Sequence, residues 1–424
     1  MNIISIIEKK KNKEVLSEDE INYVINSYVL GLISDAQMSS LLMAICINGM
    51  DDCETYFLTK AMVESGDIID LSKIDGIKVD KHSTGGVGDK TTLIVAPIVA
   101  ASGVKVAKLS GRSLGHTGGT IDKLESIKGF NSSLSNNEFI KQVREIGIVD
   151  AMQTKDIVPA DKKIYALRDV TGTTKSIPLI AASIMSKKIA SGADKILLDV
   201  KTGTGALITD FEESLKLAKL MVSIGKKYNK ETVCYITDMN EPLGNTIGNG
   251  LEVKEAVDAL LGKADERLIK LCIELSAKMI SMGKEIPLEL AKKEVTYMLE
   301  TKKAYNKFKE FIEYQGGNID DIEISKNTFC VYADSSGYIY DIDEISLALE
   351  CLNMGAGRKN KDDKIKSGVG IRKYKSIGDY IEKGDLLVKV YYDDIKADSN
   401  IIRNSFMLSS KKQEKLPVIY TVIE

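Results

Sequence analysis

Residues 81–92 (KHSTGGVGDKTT) and 108–120 (KLSGRSLGHTGGT) decide the fold, because each is a glycine-rich turn between two apolar runs. The runs 77–79 and 104–107 that precede the turns predict strands, and residues 93–101 after the first turn predict a helix. Glycine lets backbone amides approach an anion closely, and a helix N-terminus adds unpaired N–H donors. Two such turns, both rich in hydroxyl groups and lysine, predict one phosphate or phosphorylated ligand held from two sides.

The chain has only two histidines, His82 and His116, and both lie in these turns, which favours a functional role for them.

The end of the first turn, residues 88–91 (GDKT), resembles the last residues of a P-loop motif. A P-loop has glycine directly before its lysine, and Asp89 stands there instead. A nucleoside triphosphatase is therefore disfavoured.

Composition limits the class of protein. A chain of 424 residues is too long for one ordinary domain and predicts two or three. A net charge of −3 argues against a nucleic-acid partner, since such proteins usually carry a basic face. The six cysteines are scattered and contain no C-x-x-C pair, which is typical of buried free thiols in a reducing compartment. With no secretory signal pattern and no apolar run long enough for a membrane, we expect a cytoplasmic protein without a membrane partner.

The first sixty-odd residues predict helices. Ser17 with Glu20, and Ser34 with Gln37, have the spacing of capping boxes. The second predicted helix contains residues 41–47, which are apolar on nearly all sides. Such a helix must be buried all round, in a domain core or in a subunit interface, and we favour the interface.

Strands alternate with helices from about residue 75 to 155, which predicts a parallel sheet. The runs 195–200 and 233–237 add further strands, and the polar residues that follow each strand can converge on one site. From residue 329 short β runs separated by glycine turns, such as 418–422, predict a separate lobe. The predicted fold is α/β multidomain: a helical domain, a parallel-sheet α/β domain with glycine-rich phosphate loops, and a C-terminal α+β lobe. Residues from about 163 to 190 again predict helices, and the predicted boundaries are 1–66 with 163–193, 74–155 with 194–328, and 329–424.

The two turns resemble the signatures of the thymidine and pyrimidine-nucleoside phosphorylases. The resemblance covers essentially the whole chain and continues through residues 117–125, 165–171 (YALRDVT), 183–188 (SIMSKK), 199–203 (DVKTG), 355–358 (GAGR) and 381–384 (IEKG). It implies reversible phosphorolysis of uridine, thymidine and deoxyuridine to the free base and (deoxy)ribose 1-phosphate, in pyrimidine salvage. It also implies a homodimer formed through the N-terminal helices, with phosphate as co-substrate and no required cofactor.

The resemblance implies three sets of site residues. The phosphate ligands are Lys81, Ser83, Thr92, Lys108, Ser110 and Thr120. The catalytic residues are His82, Arg168 and Lys187. The base-binding residues are Arg168, Ser183, Lys187, Leu114, Ile180 and Leu207. Two ammonium groups suit a phosphate dianion, and Arg168 and Lys187 suit the departing pyrimidine anion.

Some of these assignments leave alternatives open. From the residues alone, Arg168 and Asp169 favour a local surface ion pair. His82 could hydrogen-bond the base carbonyl nearest the glycosidic bond, or it could assist protonation of the leaving base. Ser113 stands where the family has Gly or Ala, and Leu207 where relatives often have Phe against the base.

The resemblance also places a potassium ion behind the first turn, with ligands at Gly88, residue 90, Leu243, Thr246 and Glu255. Residue 90 is a lysine here, so potassium is doubtful. Its ammonium could take the position of the cation and pair with Glu255, or it could point to solvent while its carbonyl binds the metal. We prefer the first arrangement, because it leaves Glu255 with a counter-charge. A third possibility is an exposed helix turn with no role.

Three other functions compete with phosphorolysis. A phosphoribosyltransferase of similar fold would use an acidic pair to hold magnesium pyrophosphate. Asp199 and Asp238 follow strands, but they do not form a sequence pair. An AMP-type nucleotide phosphorylase would need further cations and a purine pocket, neither of which is evident. A non-catalytic nucleoside-binding protein is disfavoured by the intact set of charged residues.

Overall fold

The computed structural model describes residues 1–112, 118–263, 265–359 and 363–424. The helices are α1 (Ile3–Lys11), α2 (Glu18–Val29), α3 (Asp35–Asn48), α4 (Asp52–Glu64), α5 (Thr91–Ala101), α6 (Thr120–Leu124), α7 (Asn136–Ile146), α8 (Pro159–Thr171), α9 (Ile177–Ala190), α10 (Phe211–Lys227), α11 (Asn249–Leu260), α12 (Glu266–Lys284), α13 (Leu288–Glu300), α14 (Lys303–Tyr314), α15 (Glu344–Met354) and α16 (Ser399–Asn404). The strands are β1 (Val79–Ser83), β2 (Val106–Ser110), β3 (Ile148–Met152), β4 (Lys195–Thr202), β5 (Glu231–Asp238), β6 (Thr246–Ile247), β7 (Asn327–Tyr332), β8 (Gly337–Ile342), β9 (Gly370–Lys373), β10 (Tyr380–Ile381), β11 (Leu386–Tyr392), β12 (Phe406–Ser409) and β13 (Ile419–Ile423).

The helical domain combines α1–α4 with α8 and α9, which pack around a shared apolar core. Both predicted capping boxes are confirmed at the starts of α2 and α3. On α3, the side chains of Leu41 and Leu42 are buried, whereas Met43 and Ile47 are 39% and 74% exposed. Within a single chain this helix is therefore not covered on every side, and an apolar strip of it faces outward.

The central sheet has the order β1-β4-β5-β13, with β1, β4 and β5 parallel. The pair β2-β3 is also parallel and adjoins β1 through the bridge between Lys78 and Lys105. β1 begins two residues later than the expected run 77–79 and includes Lys81, His82 and Ser83. These polar residues are in the strand and not in the turn, because β1 pairs with β4 as far as Ser83 opposite Asp199.

The C-terminal lobe contains two small sheets, β10-β8-β12 and β6-β9-β11-β7, around its own core. One expectation is wrong here: the run 418–422 does not belong to this lobe. β13 pairs antiparallel with β5 and so covers an edge of the central sheet, which would otherwise present unpaired backbone groups. Compared with the expected boundaries 329–424, the lobe lacks the last strand, β13, and includes β6 from the central part of the chain. The layout otherwise confirms the predicted fold class.

Two further properties bear on the expectations. None of the helices in the described part of the chain combines the length and the apolar character needed to cross a membrane. The six cysteines are free thiols, as expected, but Cys53 and Cys330 are exposed and not buried.

Candidate active site

The predicted phosphate ligands come together at the ends of two neighbouring strands. Lys81 and Ser83 belong to β1, Lys108 and Ser110 to β2, and the other two ligands begin helices: Thr92 lies in the first turn of α5 and Thr120 is the first residue of α6. The parallel arrangement brings these ends to the same edge, as expected for a site at the carboxyl ends of strands.

Both lysines of this group are almost fully buried. Lys81 Nζ hydrogen-bonds Thr91 Oγ1 and lies 3.5 Å from Asp199 Oδ2, and Lys108 Nζ donates to the backbone oxygen of Lys81 at 2.7 Å. Burial lowers the pKa of Lys81, and burial together with Lys188 lowers the pKa of Lys108. An added anion would offset this cost, because it supplies opposite charge where solvent is excluded.

Ser110 carries an unused polar atom at this edge. Its Oγ is buried and makes no hydrogen bond of good geometry with the described residues, but it lies beside the Asp150 carboxylate, where it opposes the rise in the pKa of that group caused by burial. A buried hydroxyl without a partner is costly, so its position calls for a ligand or a water molecule.

Asp89 is the anion already built into the first turn. It accepts hydrogen bonds from Ser83 Oγ, from the Thr91 amide at 3.0 Å and from Thr91 Oγ1 at 2.7 Å. Although burial opposes ionisation, Lys81, Lys201 and Lys123 hold the pKa of Asp89 well below its usual range. The residue that breaks the P-loop pattern therefore stays charged at the start of α5, where the helix dipole favours an anion.

Arg168 is not part of a surface pair with Asp169, because it is 3% exposed. Its guanidinium donates to the backbone oxygens of Thr173 at 3.1 Å, Thr174 at 2.8 Å and Leu179 at 3.1 Å. Three of the five N–H groups of a guanidinium are thus used to hold the connection between α8 and α9. Two remain for a ligand.

Lys187 and Ser183 lie one turn apart on α9, as their spacing predicts. Lys187 Nζ donates to Ser183 Oγ at 2.8 Å and to Asp161 Oδ2 at 2.6 Å. Of the other predicted base-binding residues, Ile180 is buried on α9 and Leu207 is 39% exposed. Leu114 lies outside the described residues, as do Ser113 and His116.

His82 lies between the two groups of residues. Burial lowers its pKa well below the usual value, and the charges of Lys188, Lys108, Lys187 and Lys81 lower it further. Its imidazole is therefore neutral at physiological pH. The strand that carries His82 contacts α9, where Lys188 Nζ donates to Asp80 Oδ2 at 2.7 Å.

Lys90 is buried behind the first turn. Its Nζ donates to Leu243 O at 2.6 Å, to Thr246 O at 3.1 Å and to Glu255 Oε2 at 2.7 Å. Gly88 lies beside it with φ of 76°, and a Cβ there would come within 3.0 Å of Leu243 O. The alternative that residue 90 lies on an exposed helix turn with no role is therefore wrong.

The C-terminal lobe reaches the second glycine-rich segment through residues 355–358. Arg358 Nη2 lies 2.9 Å from Asp122 Oδ1 on α6. Asn249 Nδ2 donates to Ala356 O at 2.8 Å. The lobe therefore contacts the helix that begins at Thr120.

Comparison with known proteins matches three parts of the chain to family models. Residues 4–66 match the model of the glycosyl transferase family, helical bundle domain, and residues 75–301 match that of the same family's a/b domain. Residues 338–405 match the pyrimidine nucleoside phosphorylase C-terminal domain. The pyrimidine-nucleoside phosphorylase of Bacillus subtilis (strain 168) is 47% identical over 431 residues, with 100% of each chain covered. That of Geobacillus stearothermophilus is 48% identical, covering 93% of this chain and 94% of the relative.

The chain belongs to the pyrimidine-nucleoside phosphorylase family. A solved anthranilate phosphoribosyltransferase from Thermus thermophilus shares the fold with a TM-score of 0.59 and 17% sequence identity. That match covers 73% of this chain and 98% of the other. At this identity the likeness concerns the fold alone.

Sequence reasoning about this phosphorylase-family chain missed the buried acidic partners of its cations. Asp161 pairs with Lys187, Asp80 pairs with Lys188 at 2.7 Å, and Asp199 lies 2.8 Å from Lys201 Nζ. The available signal was weak for two of the pairs, because Asp161 is 26 residues from Lys187 and Asp80 is 108 residues from Lys188, whereas Asp199 and Lys201 are two residues apart on β4. The packing of α9 on α8 and on β1 brings the first two pairs together.

Proposed function

We propose that this chain catalyses the reversible phosphorolysis of pyrimidine nucleosides to the free base and (deoxy)ribose 1-phosphate, in pyrimidine salvage. Membership of the family makes it a pentosyltransferase. The observation that carries the proposal is the ion pair of Lys188 on α9 with Asp80 on β1 at 2.7 Å, which sets the helix of Ser183 and Lys187 against the strand of Lys81 and His82. A nucleoside placed there has cations on its phosphate side and on its base side.

The strand edge binds and orients the phosphate. Lys81 and Lys108 offset its two negative charges, and the hydroxyl of Ser110 and the glycine-turn amides saturate its oxygens. A phosphate oxygen then attacks the anomeric carbon. The carbon–nitrogen bond breaks and its electron pair leaves with the base.

Arg168 and Lys187, on the base side of the site, bind the departing base. The N–H groups of Arg168 and Lys187 that remain available donate to the carbonyl oxygens of the pyrimidine, where negative charge develops. His82 acts as a neutral hydrogen-bond donor to a base carbonyl, because its lowered pKa disfavours an imidazolium acid. Of the two roles open to this histidine, the first is therefore the better supported.

Lys90 takes the place of a potassium ion, and phosphorolysis needs no added cation. Support comes from its ammonium, which binds Leu243 O, Thr246 O and Glu255, three of the predicted potassium ligands. A second cation in this space would be repelled. The enzyme has phosphate as co-substrate and no required cofactor.

The functional unit is a cytoplasmic homodimer. The exposed side chains of Met43 and Ile47 on α3 support an interface through the N-terminal helices. Six free thiols support a reducing compartment.

One assay tests the function. The protein is incubated with uridine, thymidine, cytidine or AMP, with and without phosphate, and free base is measured by chromatography. Base release from uridine or thymidine that requires phosphate is the expected result. Release without phosphate, or release from AMP alone, contradicts it. Base consumption that depends on phosphoribosyl pyrophosphate and magnesium supports the phosphoribosyltransferase instead.

A further inference from the structure

Asp161 and Lys187 form an ion pair between α8 and α9, with Nζ 2.6 Å from Oδ2. The two partners differ in exposure: the Lys187 side chain is 21% exposed, whereas that of Asp161 is 3% exposed. A ligand can therefore touch the ammonium, while the carboxylate is covered behind it.

Asp161 occupies an unusual place at the start of α8. It is the third residue of the helix, a position from which an acidic side chain often bonds the first amides. Here α8 has no side-chain cap, and the Oδ1 of Asp161 has no hydrogen-bond partner within the described chain. The carboxylate is directed to Lys187 instead.

The backbone before Asp161 is also strained. Val158, which precedes α8, has φ of 47°, a value that β-branched residues rarely adopt. Such strain persists only where surrounding structure enforces it, and it is frequent at functional sites.

We propose that Asp161 is a positioning residue for the leaving base: it holds the ammonium of Lys187 beside Ser183 so that its remaining N–H points at the pyrimidine. This inference rests on the proposed function. An ammonium has three N–H donors on a flexible stem. Asp161 and Ser183 take two of them. When two N–H bonds of the ammonium have fixed directions, the direction of the third is fixed as well. A hydrogen bond to Ser183 alone would leave the ammonium free to rotate.

The first test compares two leaving groups. Asp161→Asn is expected to lower kcat/KM for uridine by about tenfold or more, because the developing base anion loses a directed donor. The loss with 5-fluorouridine is expected to be several times smaller, since fluorine already stabilises that anion. Asp169→Asn, on the exposed side of the same helix, is the matched control and is expected to change neither value. Equal losses on both nucleosides would show a merely structural role and overturn the proposal.

A double-mutant cycle gives the second test. If Asp161 acts through Lys187, Asp161→Asn causes no further loss of kcat/KM in a Lys187→Met background. An additive loss contradicts the proposal. Should Asp161→Asn fail to fold, Asp161→Glu replaces it, and the same larger loss on uridine than on 5-fluorouridine is expected.

The two proposals fail in different ways. A wild-type protein that releases no base in a phosphate-dependent manner contradicts the proposed function. An active wild type, with Asp161→Asn as active as Asp169→Asn, leaves the function standing and overturns the role of Asp161.

Discussion

The ammonium of Lys90 lies 2.7 Å from the Glu255 carboxylate, and the lysine side chain is fully buried. Burial opposes ionisation of Glu255, but Lys90 outweighs it and lowers the pKa of that carboxyl. This buried ion pair thus joins the first glycine turn to the middle of α11.

Phosphorolysis is expected to be indifferent to replacing potassium with tetramethylammonium. Lys90→Thr removes the internal cation and leaves a buried carboxylate, which costs about 3–5 kcal/mol of stability. Added potassium is expected to restore both Tm and activity in this variant only. Lys254→Thr, which breaks an exposed ion pair on α11, is the control. Strong potassium activation of the wild type would refute the replacement.

Ser110→Ala is expected to raise the KM for phosphate severalfold without lowering Tm. The hydroxyl makes no hydrogen bond of good geometry with a described residue, its contact with the Asp150 carboxylate included, so its removal costs little folding energy. Ser276 on α12 also has a buried Oγ without a described partner, and Ser276→Ala should leave both quantities unchanged. Steady-state kinetics with phosphate varied checks this. A Ser110→Ala variant with wild-type phosphate KM would remove this residue from the site.

Lys187→Met is expected to lower kcat/KM for uridine by about tenfold to a few hundredfold. A charge-assisted hydrogen bond contributes roughly 1.5–3 kcal/mol, which corresponds to that range. Lys162→Met, an exposed lysine on α8, is the control. Unchanged kinetics in Lys187→Met would show that this ammonium does not hold the leaving base.

Glu344 makes the contact between the C-terminal lobe and the loop after β4 sensitive to pH. Thr204 Oγ1 donates to Glu344 Oε1 at 2.5 Å, while Glu344 Oε2 is buried without a described partner. Burial raises the pKa of Glu344 from 4.5 to about 7, and Asp341 and Asp343 act in the same direction. The folded state therefore holds the proton more tightly than the unfolded state, and stability falls as pH rises from 4.5 to 7.

Glu344→Gln is expected to remove that dependence, because glutamine stays neutral. Relative to wild type, the variant should gain up to about 3 kcal/mol at about pH 8 and little near the ordinary glutamate pKa. Denaturant unfolding at both values measures the difference. An equal effect of the substitution at the two pH values would contradict the titration of this group.

Closure of the site is expected to occur about the segments 66–74 and 155–162. The two lie side by side: the Asp67 amide donates to Asp156 O at 2.7 Å. They join α9 and its neighbours to the strand edge, so rotation there would bring Lys187 toward Lys108. Small-angle scattering should show a more compact molecule with phosphate and a nucleoside analogue. Identical profiles with and without them would argue for a rigid site.

The first glycine turn and the helix that follows it were predictable, because the apolar runs and turn residues of 77–101 are local signals. The buried charge pairs were not: Asp161 and Lys187 meet only when α8 packs on α9. The predicted surface ion pair between Arg168 and Asp169 is wrong for a related reason. Asp169 is exposed, whereas the partners of the buried Arg168 are backbone oxygens. β13 has the same β-rich texture as the lobe before it, and nothing local shows that it returns to β5.

The pairing of β13 with β5 sets the order in which the central sheet is completed during biosynthesis. The central sheet begins with β1 and ends with β13, so one of its edges is supplied by residues 419–423. On a translating ribosome, β1, β4 and β5 emerge long before their last neighbour, and the whole C-terminal lobe is made in between. The central sheet is therefore completed only after the lobe that interrupts it has been made, and this edge of β5 stays uncovered until residues 419–423 have left the ribosome.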